Sequence, residues 1–123
     1  MILLPRSVKV YVATASTNLR NSFDGLSIAT REVLKRDPLS GHIFVYINRR
    51  RNQVKLLVWT RGGFTIVHKR LEKGTFGALR SMEAGAVCVE FDVHELSMLL
   101  EGVTFVQSKA SHRWEPPMHT STA

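Results

Sequence analysis

Ile43-Phe44-Val45-Tyr46-Ile47-Asn48-Arg49-Arg50-Arg51-Asn52-Gln53-Val54-Lys55-Leu56-Leu57-Val58-Trp59 decides how this chain is read. Two apolar, β-branched runs flank a short polar connection that carries three consecutive arginines. Runs of that composition separated by four or five polar residues form a β-hairpin. The arginines then sit at the turn and Lys55 just beyond it. A two-stranded ribbon with a basic tip has the shape and charge to meet phosphate-rich nucleic acid, since such a ribbon fits a DNA major groove. The plain alternative is a loop whose charges only keep it solvated.

Outward from the hairpin, Phe64 to Leu71 supplies a third strand after the turn Arg61-Gly62-Gly63, where glycine can take positive φ. The three runs predict an antiparallel meander. Upstream, Val8 to Ala13 alternates and is rich in strand formers. Thr14 to Asn21 is a polar connection, and Asn21 or Ser22 can cap a helix. On a 3.6-residue period Phe23, Leu26, Thr30, Val33 and Leu34 share a face, while Ile28 falls outside it. Asp37-Pro38 stops that helix, because proline disfavours helical backbone at the residue before it. Downstream, Gly74 to Gly77 is turn-rich, and Ala86 to Phe91 reads as another strand. Asp92-Val93-His94-Glu95 has the form of a capping box, opening a helix with Val93, Leu96, Leu99 and Leu100 on one face and Gly102 at its end. The expected fold is α+β: a mainly antiparallel sheet in the order β-α-β-β-β-β-α, with two helices packed on one face. One domain is expected over residues 1–106. A disordered tail is expected over 107–123, a segment poor in residues to bury except Trp114.

The chain has 123 residues, with 17 Lys and Arg against 10 Asp and Glu, a net charge of +7. That excess favours polyanionic partners without choosing among them. The single cysteine, Cys88, lies in an apolar run and cannot form a disulfide within the chain, which suits a reducing cytoplasm. No stretch approaches a membrane span, and the start of the chain lacks the pattern of a signal peptide. A soluble, cytoplasmic protein is expected.

Catalytic signatures are sparse. His42, His68, His94, His112 and His119 show no metal-ligand spacing, and the phosphate-cradling and nucleophile motifs are missing. His68, beside Lys69 and Arg70, is placed for solvent or phosphate. Glu90 and Asp92 share a strand face and are the best carboxylates for a metal-dependent nuclease, although Asp92 already serves as a cap. No cofactor, metal or small-molecule substrate is expected. The candidate phosphate contacts are Arg49, Arg50, Arg51, Lys55, Lys69 and Arg70, with Arg20 as a further candidate. Tyr46, Trp59 and Phe64 lie near them in sequence, either as core or as stacking surfaces for bases.

The segment order resembles the TnpB-type accessory proteins of the insertion sequence sixty-six family of bacterial transposable elements (not the RNA-guided nuclease of the same name). The matching pieces are Val10-Tyr11-Val12-Ala13, Thr17-Asn18-Leu19-Arg20, Phe23-Asp24-Gly25-Leu26, Asp37-Pro38-Leu39-Ser40-Gly41, Ile43-Phe44-Val45-Tyr46, Asn48-Arg49-Arg50-Arg51, Lys55-Leu56-Leu57-Val58-Trp59 and Lys69-Arg70-Leu71-Glu72-Lys73-Gly74-Thr75-Phe76. Leu99-Leu100-Glu101-Gly102 matches the family's C-terminal helix. The family usually has an aspartate where Asn18 stands, and a Trp-Pro where Gly77-Ala78-Leu79 follows Phe76. The resemblance implies a non-catalytic accessory role beside a larger transposase and a second small accessory protein. Two functions fit that role: binding DNA through the basic hairpin, or tethering the partner proteins through Ile28, the C-terminal helix and Trp114.

Overall fold

Val10–Ala13 (β1) and Ile43–Ile47 (β2) are buried at every residue, so side chains of both parities meet protein. A strand that is apolar on both faces needs a cover on each. In the computed structural model, which describes residues 8–77 and 85–102, the covers are the two helices. The remaining elements are Phe23–Glu32 (α1), Gln53–Thr60 (β3), Gly63–Arg70 (β4), Cys88–Phe91 (β5) and Val93–Leu100 (α2).

The five strands form one sheet in the order β4-β3-β2-β1-β5. Only β1 and β2 run parallel, joined through α1, and the other three pairings are antiparallel. The α+β class and the element order are as the sequence indicates. The helices differ from expectation: they lie on opposite faces. Val10, Val12, Ile43, Val45, Val54, Leu56 and Val58 pack with Leu96 and Leu99 of α2. Tyr11, Ala13, Phe44, Tyr46 and Leu57 pack with Leu26 of α1 and with Leu34 just beyond it. The reason lies in β1 and β2, whose apolar residues of alternate parity would face water if both helices shared a side.

α1 buries Leu26, Ser27 and Thr30, whereas Phe23, Ile28 and Val33 are exposed. The buried Thr30 hydroxyl donates to the Leu26 carbonyl at 2.8 Å and is hydrogen-bonded to the Tyr46 hydroxyl. Burial pushes the Tyr46 phenol up to about 12, with the Thr30 bond pulling the other way. α2 opens with the anticipated capping box. The Asp92 carboxylate accepts from Glu95 N at 2.7 Å, and the Glu95 carboxylate accepts from Asp92 N at 2.8 Å. Gly102, at φ 84°, takes the left-handed conformation that ends the helix.

No helix among the described residues is long and apolar enough to cross a membrane. The expected tail, Trp114 included, lies outside the described residues.

Candidate nucleic-acid interface

The β2–β3 connection is a four-residue loop closed by Asn48 and Gln53, whose backbones bond at 3.1 Å. Asn48 holds it from within. Its side-chain oxygen accepts from Asn52 N and Gln53 N, both at 3.0 Å, and its amide nitrogen donates to Asn52 Oδ1 at 2.8 Å. This is the local side-chain bonding that makes asparagine a turn residue. The chain bends back at Arg51, which has φ 61° and donates its N–H to the Asn48 carbonyl at 3.0 Å.

The three arginines therefore do different things. Arg49 and Arg50 are exposed at the tip. Arg51 turns inward toward the α2 side: its Nε donates to the Phe76 carbonyl at 3.0 Å and its Nη2 to the Gly77 carbonyl. The Phe76 N–H returns a bond to the Arg51 carbonyl at 2.7 Å, fixing the fully buried Phe76 ring in the α2-side core. Desolvation lowers the Arg51 pKa from its usual range.

Strand parity sorts the rest. Gln53, Lys55, Leu57 and Trp59 of β3 face α1, and the register sets Arg70 opposite Gln53 and His68 opposite Lys55 on that same face. Lys69 pairs with Val54, so it faces α2, and its Nζ donates to the Leu100 carbonyl at 2.6 Å. Since α2 has no basic residue in its last turn, Lys69 supplies from β4 the cation that a helix C-terminus favours.

The loop between β1 and α1 completes the site. Thr17 N donates to the Ile47 carbonyl at 2.9 Å, Arg20 N to Asn18 Oδ1 at 3.0 Å, and Lys55 Nζ to the Asn21 carbonyl at 3.0 Å. The first and last of these bonds draw the loop against the hairpin and leave a cleft of about 490 Å³ between Ser16–Arg20 on one wall and Asn48, Arg49, Arg50 and Gln53 on the other. Arg20, Arg49 and Arg50, some thirty positions apart in sequence, thus share one concavity.

Of the seven cations singled out in the sequence, Arg20, Arg49, Arg50, Lys55 and Arg70 gather at this end of the α1 face or at the tip. Arg51 and Lys69 point to the α2 side. Only two ion pairs join described residues: Lys9 with Glu90 at 4.0 Å, and Arg70 with Glu72 at 3.5 Å, each largely exposed. Among the described residues, Arg70 alone of the five has a carboxylate beside it. The aromatics do not join the patch. Tyr46 is core, and Trp59 and Phe64 meet edge to face at 4.9 Å at the opposite end of β3, about 20 Å away at roughly 3.3 Å per residue. The turn there is the two-residue Arg61-Gly62, both at positive φ, and Gly63 already belongs to β4.

The carboxylates weighed for metal chemistry have other partners. Glu90 lies by Lys9 and Asp92 caps α2. Among the described residues no three His, Cys, Asp or Glu side chains gather as a metal would require. The sequence reading did not find the loop residues Ser16 to Asn18, the bracing by Asn48 or the anchoring of Phe76. The one available signal was the Asn48/Asn52 spacing around the arginines.

With cleft and patch in place, the comparison with known proteins is decisive about kinship. The sequence pattern of the IS66 Orf2-like protein family matches residues 8–110. The chain belongs to the IS66 Orf2-like family. That membership carries an accessory role in the transposition of an insertion sequence. Two proteins of Sinorhizobium fredii (strain NBRC 101917 / NGR234) are similar to it, both described as uncharacterized. One, y4hO, is 34% identical over 112 residues, 90% of this chain and 92% of the relative. The other, y4jC, is 28% identical over 109 residues, 89% of this chain and 91% of the relative. No solved structure matches. The family match takes in every described element of the fold, and the cleft wall Ser16–Arg20 and hairpin tip lie within it.

Proposed function

We propose that this member of the IS66 Orf2-like family is a non-catalytic, cytoplasmic accessory protein that binds DNA through Arg20, Arg49, Arg50, Lys55 and Arg70. The observation that carries the reading is the convergence of these five cations around the hairpin tip and cleft, where, among the described residues, a carboxylate pairs with Arg70 alone. A cation held in a close, buried carboxylate pair gains little from a phosphate, whereas an exposed one, Arg70 with its largely solvent-exposed 3.5 Å pairing included, releases condensed counterions from DNA. Arginine adds a planar fork that takes two phosphate oxygens at once. Hydrogen bonding along the duplex backbone positions the protein without reading sequence. Among the described residues no exposed aromatic lies near the tip, which favours backbone contact over stacking on unpaired bases.

Five neutralised phosphates give log K a slope against log salt of about −4 to −5. A titration of duplex binding measures it directly. A flat slope, or no binding at low salt, rejects the reading.

A second reading has its own support. Ile28 on the outward side of α1 and Val33 just past its end are each 54% exposed, and Phe23 at its start is exposed as well. Such a surface suits a tether between the transposase and the second accessory protein of the element. Co-purification with the transposase after combined Arg49→Ala and Arg50→Ala substitution separates the two: a tether keeps its partner, whereas a contact bridged by DNA is lost.

A further inference from the structure

The cross-strand register places four polar side chains in a rectangle on the α1-side face of β3 and β4: Gln53 opposite Arg70, and Lys55 opposite His68. Strands stand about 4.8 Å apart, and same-face neighbours along a strand about 7 Å apart, so one phosphate group can reach several of the four. His68 Nε2 and Gln53 Oε1 are 2.9 Å apart. An amide oxygen only accepts, so Nε2 carries the hydrogen and Nδ1 is left as the atom that can take a proton.

We propose that Gln53, Lys55, His68 and Arg70 form a phosphate seat, and that a phosphodiester enters it together with one proton from solvent, taken up at His68 Nδ1. The seat rests on the DNA reading above for the source of its phosphate. Protonated Nδ1–H then donates to a phosphate oxygen, beside the ammonium of Lys55 and the guanidinium of Arg70.

The charges facing His68 explain the coupling. From β3 come Lys55 and the neutral Gln53, and from its own strand comes Arg70, whose partner Glu72 lies at 3.5 Å. The β1–α1 loop contributes the Asn21 carbonyl, already bonded to Lys55. In the free protein, desolvation first, and then Lys55 and Arg70, hold the His68 pKa below its ordinary value. An arriving phosphate cancels the two cations and adds an acceptor, which favours the imidazolium. Binding therefore takes up a proton, and affinity rises as pH falls. Each unit by which the anion raises the His68 pKa is worth about tenfold in affinity across the window.

Two measurements on the full chain test this. In the first, duplex affinity is followed at constant salt between about pH 8 and about pH 5 for the native protein and for His68→Gln. The native protein should tighten about tenfold more than the variant, with His42, His94, His112 and His119 common to both. In the second, the imidazole resonance of His68 is titrated by NMR in sulfate and in chloride of matched ionic strength. Sulfate should raise the midpoint. DNA binding with equal pH slopes in both proteins, or a midpoint that sulfate leaves unmoved, overturns the seat. A raised midpoint in a protein that binds no DNA upholds the anion seat and rejects the polynucleotide reading instead.

Discussion

Arg51→Ala should damage the fold and leave the DNA contact surface alone, the reverse of what its place in an arginine triplet suggests. Its guanidinium makes two bonds, to the Phe76 and Gly77 carbonyls. Hydrogen bonds from a charged donor contribute about 1.5–3 kcal/mol each when buried. Arg51 is only partly buried, so solvent screening reduces this to about 1 kcal/mol each and about 2 kcal/mol together. Alanine keeps the unfavourable left-handed backbone at φ 61°. Arg51→Gly relieves it and should be about 1 kcal/mol less damaging than Arg51→Ala. In urea, where m is about 1–3 kcal/mol/M for small proteins, Arg51→Ala should lower the midpoint by about 1 M. Arg49→Ala and Arg50→Ala, at the exposed tip, should stay within about 0.5 kcal/mol of the native protein. The salt dependence of duplex binding should invert this order: each tip variant makes the slope shallower by about 0.9, and Arg51→Ala leaves it unchanged. Arg51→Ala with native stability, or with a slope loss equal to that of Arg49→Ala, refutes the assignment of Arg51 to the Phe76 anchor.

Tyr46 is raised in the fold to about 12, so the stability held by its protonated form is complete below about pH 10 and is lost as pH rises through about 12. Alkaline unfolding should cost the native protein up to about 3 kcal/mol more over that range than Tyr46→Phe, whose ring cannot ionise. Lys69→Met removes the cation at the end of α2 and should cost about 0.5–1 kcal/mol in urea unfolding at low salt, and less at high salt. Asp92→Ala breaks the capping box and should cost about 1 kcal/mol, visible as a lowered thermal midpoint.

The legible parts of the fold were those with local chemistry. The β2–β3 hairpin, the Asp92 box and the Gly102 stop each rest on residues close in sequence, and each stands where the sequence put it. The side on which the helices pack was also written in Ile43 to Ile47, where both parities are apolar, but it needed that run to be read as a strand with two covered faces. On α1 the helical period selected Leu26 and Thr30 correctly and also included Phe23 and Val33, which lie at and beyond the helix ends, where tertiary cover runs out. The cationic site was half legible. Sequence proximity grouped Arg49, Arg50 and Arg51, yet a positive φ at Arg51 aims that side chain at Phe76, and strand parity separates Lys69 from Arg70. Conversely, Arg20 meets the tip only because Thr17 bonds the end of β2, a contact across thirty residues that no local pattern records.

The direct test of the five-cation surface is a map of backbone amide shifts on adding a short DNA duplex. The largest changes should fall at residues 16–20, 48–50, 53–55 and 68–70, with α2 and the outward side of α1 quiet. Changes centred on Ile28 and Val33, or spread along α2 with the hairpin tip silent, would contradict it.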